Sequence, residues 1–298
     1  MMTKKFFTIS MVLFLIVSAV GVVQGQSLQV AASFAIIADF VQEVGGDMVT
    51  VFSLVPAAAD PHSWEPTVQE ARFLAKADVL FVNGEGYEEW LSDLVASTAN
   101  PSLTIVEVSE GLEALEGPSH SIHHDHHHDP HFWLSVPNAI HYVEKIAQTL
   151  MKADPQNAQY FRERADRYQV ELQELDGWLL EQLTAIPVEN RVLATYHNAF
   201  AYFADRYGFS AVEFLVSNPD REPTAKEMAA VIKSLRKLPK PVVFAEPQFS
   251  VGEKYVRTVA AEIGGDVRFL YSSTLTAEVP SYIELMRYNA NVLLEALR

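Results

Sequence analysis

The chain contains no cysteine. Disulfide frameworks, thiolate zinc sites, iron–sulfur clusters and cysteine nucleophiles are thereby excluded, and any metal chemistry must come from His, Asp and Glu. Positive charge is also scarce. Lys and Arg number 22 against 38 Asp and Glu, a formal charge of −16 over 298 residues, which excludes a cationic face able to neutralise nucleic-acid phosphates. Beyond the first 25 residues no apolar run is long enough to span a bilayer. Hydrophobic residues at 49% and charged residues at 20% describe a folded globular chain, long enough for one large domain or two moderate ones.

The N-terminus places Lys4 and Lys5 before an apolar run from Phe6 to Val23, and Val23 and Gly25 stand at −3 and −1 of a break before Gln26. This is the layout of a secretory signal. Residues 1–25 are expected to be removed near Gly25. Without a cysteine after the run there is no residue to carry a lipid, so a protein released into a Gram-negative periplasm is expected.

After that segment β-rich runs alternate with helical patterns. Residues 28–32, 48–55, 79–83 and 103–108 read as strands, with helices over 34–44 and 66–77, where Pro66 suits a first turn. The scheme repeats with strands at 191–196, 209–216, 242–245 and 268–271, and helices at 199–207, 224–238, 251–263 and 282–297. Such alternation implies an α/β fold: two lobes, each a four-stranded mostly parallel sheet flanked by helices. Between them Phe161, Ala165, Tyr168, Leu172, Leu175, Leu179 and Leu183 recur at spacings of four and three, one apolar stripe on a single long helix. The expected organisation is an N-terminal lobe over 26–153, a linking helix over 154–187 and a C-terminal lobe over 188–298.

Seven of the ten histidines fall within residues 120–131. His120, His123, His124, His126, His127 and His128 lie in a loop expected over 119–130, where imidazoles without one fixed geometry collect borderline divalent metals weakly. Three histidines have a different context. His62 lies in Asp60-Pro-His-Ser-Trp-Glu-Pro-Thr67, His131 in Asp129-Pro-His-Phe-Trp-Leu134, and His197 directly follows a strand. Each falls in a connection at a strand end, where α/β folds bind ligands. Asp60 and Asp129 are candidates to hold the second ring nitrogens. His141 has no such context and reads as a helix-surface residue.

These motifs, together with Asn83-Gly-Glu-Gly-Tyr-Glu-Glu-Trp-Leu91, His197-Asn-Ala-Phe-Ala-Tyr-Phe203, Arg206-Tyr-Gly208, Glu222-Pro-Thr224 and Phe244-Ala-Glu-Pro-Gln248, make the chain resemble the zinc and manganese substrate-binding proteins of ABC transporters. The resemblance implies two lobes joined by a long helix. It also implies one metal in the cleft, delivered to an inner-membrane permease with its ATPase. His62, His131 and His197 fall on the family's histidine ligands. Manganese members tend to have Glu where His197 stands, and a His-rich loop is typical of zinc members, so Zn2+ is expected as the transported ligand, with Mn2+ second.

One departure stands out. The family often supplies a carboxylate from a late Leu-Tyr-x-Asp-Ser-Leu segment, whereas here Leu270-Tyr-Ser-Ser-Thr-Leu275 puts Ser273 at the Asp position. A solvent molecule or a loop histidine is expected as fourth ligand. Glu222 and Glu246 are expected to hold their loops through backbone hydrogen bonds. A zinc hydrolase would use the same histidines with Glu246 or Glu222 as base, and a periplasmic zinc buffer or adhesin would need no permease. The absence of a His-Glu-x-x-His helix, a Gly-x-Ser-x-Gly elbow and a phosphate loop weighs against an enzyme. A monomer without nucleic-acid partners is expected.

Overall fold

The computed structural model describes residues 27–116, 128–209, 211–216, 219 and 221–298. The secretory segment and most of the His-rich loop, including His120, His123, His124, His126 and His127, lie outside the described residues.

Four parallel strands, β1 (Leu28–Ala32), β2 (Val49–Ser53), β3 (Val79–Val82) and β4 (Thr104–Glu107), form the first sheet in the order β2-β1-β3-β4. Helices α1 (Ala35–Gly45), α2 (Val68–Leu74) and α3 (Leu91–Thr98) make the crossovers, and α4 (Val136–Ala153) follows. The long α5 (Ala158–Leu183) leads to the second sheet, β5 (Val192–His197), β6 (Ala211–Val216), β7 (Val242–Ala245) and β8 (Asp266–Phe269), in the order β6-β5-β7-β8. Its helices are α6 (Ala201–Tyr207), α7 (Ala225–Leu235), α8 (Ser250–Ile263) and the closing α9 (Tyr282–Leu297). The two-lobe, long-helix architecture expected from the alternation is the one observed.

Composition explains the layering. β3 reads Val-Leu-Phe-Val and β7 Val-Val-Phe-Ala, and both are buried on both faces, as covered parallel strands must be. All seven stripe residues of α5 are buried. That stripe packs against α1, α4 and α9, so one apolar cluster runs from Val30 to Leu297 across both lobes.

Three details differ from the sequence reading. Pro66 precedes the N-cap of α2 instead of occupying its first turn. Thr67 accepts from the Gln69 amide while Glu70 reaches back to the Thr67 amide, and this capping box sets the start. Helix α3, whose apolar stripe is only Leu91, Leu94 and Val95, is absent from the sequence reading. Helix α4 enters the sequence reading only as the helix bearing His141. Among the described residues no helix is long and apolar enough to cross a membrane.

Candidate metal centre

The carboxyl ends of both sheets meet at the cleft. In each sheet the first strand, β1 or β5, pairs on one side with the second strand and on the other with the third, so the crossovers leave in opposite directions and open a crevice there. His197 is the last residue of β5, and Glu246 follows the end of β7 beside it. From the first sheet, His62 comes from the connection between β2 and α2. His131 caps a short 3-10 turn, Phe132–Leu134, on the path from β4 to α4.

The three histidines converge. His62 Nε2 lies 3.3 Å from His131 Nε2, which lies 3.4 Å from His197 Nε2, and one nitrogen of each ring falls within 4.8 Å of the others. Nitrogens on a zinc tetrahedron with bonds of about 2.0–2.1 Å stand roughly 3.3 Å apart. His131 and His197 are buried and His62 is half-buried. Aromatic rings wall the triangle, with Tyr87 4.7 Å from His62, Trp133 5.4 Å from His131 and Phe249 4.9 Å from His197, centroid to centroid.

Two carboxylates orient the rings. Asp129 Oδ1 lies 2.7 Å from His131 Nδ1, as the Asp-Pro-His spacing suggested. Glu246 Oε1 lies 2.7 Å from His197 Nδ1, while its Oε2 accepts from the Ser272 hydroxyl and from Gln248. The expectation that Glu246 merely holds its loop is therefore corrected: sheet pairing brings β5 and β7 together, which linear spacing does not reveal. Asp60 also departs from expectation. Its Oδ1 accepts from the His62 amide and its Oδ2 from the Ser63 hydroxyl, an Asx turn that shapes the loop from the backbone side. Glu222 is exposed and pairs with the Tyr255 hydroxyl.

Protonation follows from these partners. Burial, then the neighbouring His131 and His197, holds His62 well below the usual imidazole range, so it is neutral and ready to ligate. Burial also opposes a charge on His197, but the Glu246 carboxylate, with Asp60 and Asp129 behind it, raises its pKa above the ordinary value.

Ser273 is buried beside the Tyr87 hydroxyl and 3.3 Å from Gln248 Nε2. Gln248 Oε1 is buried without a protein partner. Among the described histidines outside the triangle, His128 pairs with Glu85 at 3.0 Å in a half-exposed position, and His141 bonds the Glu110 carbonyl from the surface of α4. Tyr87, Gln248 and Ser272 carry no signal of their own in the sequence, although Tyr87 and Gln248 lie inside motifs that carry the resemblance.

A family model described as zinc-uptake complex component A, periplasmic (ZnuA) matches residues 30–296. Among similar proteins, the manganese-binding lipoprotein MntA of Halalkalibacterium halodurans is 33% identical over 277 residues, covering 92% of this chain and 89% of that protein. The iron-binding protein YfeA of Yersinia pestis is 31% identical, with coverages of 90% and 86%. Of solved structures, a Mn-bound periplasmic metal binding protein from Candidatus Liberibacter asiaticus superposes with a TM-score of 0.80 at 27% identity, covering 92% of this chain and 100% of that one. A zinc-bound ZnuA deletion mutant gives 0.80 at 28%, covering 91% and 98%.

Proposed function

The chain belongs to the family of periplasmic component A proteins of zinc-uptake complexes, and from that premise we propose that it captures Zn2+ between its lobes through His62, His131 and His197. It then hands the ion to an inner-membrane ABC permease driven by its ATPase. The observation that carries this reading is the spacing of the three Nε2 atoms, 3.3 and 3.4 Å, at a site built from both lobes.

Relatives are named for manganese and iron as well as zinc, and the donor set distinguishes among them. Three imidazoles and no ligating carboxylate suit zinc, whereas manganese prefers oxygen donors. The ion's two charges are balanced at one remove, by Asp129 and Glu246 behind the rings. Solvent held near Ser273, Tyr87 and Gln248, or an imidazole from the His-rich loop, completes the coordination. A serine hydroxyl would have to ionise to compete.

Binding is favoured over hydrolysis because both oxygens of Glu246, the carboxylate a hydrolase would use as base, are engaged. The protein acts as an exported monomer in the periplasm. Calorimetry with Zn2+ tests the assignment. His131→Ala should abolish a tight event that survives deletion of residues 119–125, which removes only weak ones; the reverse pattern would place the site in the loop. Zinc uptake that persists without a cognate permease would favour the buffer or adhesin reading.

A further inference from the structure

The two loops of the first lobe that carry His62 and His131 are each fastened to the second lobe. Ahead of His62, the Ala58 amide donates to Thr274 Oγ1 at 2.7 Å. Ala58 sits there at φ 63°, a left-handed conformation that costs a residue with a side chain and is held only where surroundings impose it. Ahead of His131, the Asp129 carbonyl accepts from the Tyr202 hydroxyl at 2.8 Å, and Asp129 is the residue whose carboxylate holds the His131 ring. The Tyr202 oxygen in turn accepts from the Leu115 amide at 3.0 Å. Two residues beyond His131, Trp133 Nε1 donates to the Ser272 carbonyl at 2.6 Å. The hydroxyl of that same serine donates to Glu246, which holds His197.

These bonds join residues 216, 73 and 139 positions apart, and none uses a ligating nitrogen. Thr274, Tyr202, Trp133 and Ser272 are all buried. Losing one partner there strands the other away from water, which is costly. Zinc tolerates ligand distances only within about 0.2 Å. His197 comes from one lobe and His62 and His131 from the other, so a small relative movement of the lobes would spoil the triangle.

We propose that Thr274, Tyr202 and Trp133 are positioning residues for metal capture, setting the mutual geometry of the three histidines from outside the coordination sphere. The inference rests on the three-histidine reading above. Once the ion is held, escape requires the lobes to part, so these bonds govern release more than entry.

The test compares Thr274→Val, Tyr202→Phe and Trp133→Phe in the full exported chain, using Zn2+ alone. Affinity is measured by chelator competition, release by stopped flow into excess chelator, and stability as the Tm of metal-free protein. Each variant should bind Zn2+ about 10–100-fold more weakly, the range for lost outer-shell partners, with the change carried by faster release. Thr274→Ser, which keeps the hydroxyl, should restore wild-type values. Asn190→Ala is the control: it breaks the Asn190 Nδ2 bond to the Leu297 carbonyl, away from the cleft, and should lower Tm without touching affinity. Variants that lose Tm like the control yet keep wild-type affinity and release overturn the inference, and if Trp133→Phe does not fold the other two decide. A wild-type chain with no tight zinc event overturns the metal reading itself, and this inference with it.

Discussion

A carboxylate that accepts a hydrogen bond from a ligating imidazole strengthens that imidazole as a ligand and also as a base, and Glu246 stands in that relation to His197, one of the proposed ligands. Protons therefore compete with zinc at His197 at pH values where an ordinary imidazole would be free. Metal affinity should fall as pH drops from about 8 towards about 6, because binding requires the neutral ring. In Glu246→Gln the affinity at the upper end of that range should drop about 10–100-fold, while the loss on acidification becomes shallower, since His197 no longer holds its proton so high. Zinc titrations of both proteins across that range check the pair of effects; parallel pH profiles would refute the role given to Glu246. Ser273→Asp should narrow the preference for zinc over manganese by restoring a hard oxygen donor, read by competitive binding and by X-ray absorption counts of nitrogen and oxygen neighbours. The three histidines proposed as ligands are legible in sequence because Asp-Pro-His occurs twice with Trp two places on, and because His197 ends a strand. The partners that act on them are not: Glu246 meets His197 through β5–β7 adjacency, and Ser272, from beyond β8, and Gln248 act on it only through Glu246, which no linear spacing encodes.

Helix α5 shows how far periodicity reaches at the scale of elements. Its stripe of seven apolar residues is legible because four-and-three spacing persists over more than six turns, and all seven are buried. The stripe does not announce Asp176, which is buried on the same helix and receives Arg206 and Tyr207 from α6, tying the strut to the second lobe. Helix α3 is silent in the sequence because its stripe, Leu91, Leu94 and Val95, is too short within 8 residues to stand out. On the outer face of α5, Gly177 is exposed and a Cβ there would meet nothing within 4 Å. Gly177→Ala should therefore raise stability by about 1 kcal/mol, the propensity difference in a helix interior, as an increased denaturant midpoint with unchanged zinc affinity. A changed zinc affinity would mean that the strut must flex at this point.

For the molecule as a whole, the shared core joins chain positions far apart, and Asp39 marks the seam. It lies on α1 and accepts the Tyr282 amide at the start of α9 at 2.9 Å. Burial pushes its pKa up to about 7, and burial does the same to Glu88. The sign follows directly: the native state keeps a proton that the unfolded chain releases near pH 4, so these groups cost stability progressively as pH rises from about 4 to 7. Asp39→Asn, which retains an acceptor, should gain up to a few kcal/mol above neutral pH, since each tenfold change in proton affinity is worth about 1.4 kcal/mol, and nothing near pH 4. Urea unfolding of metal-free protein at both pH values measures this, and equal gains would show that the proton on Asp39 plays no part. The same seam bears on how the polypeptide reaches its destination. Residues of α9 complete the core begun by β1 and α1, so contacts such as the Asp39–Tyr282 bond, between residues 243 positions apart, must form before that core is whole, which slows folding. A chain threaded across a membrane from its N-terminus would thus stay unfolded until α9 had passed, and truncation before Ser281 should leave a species that translocates but never becomes protease-resistant.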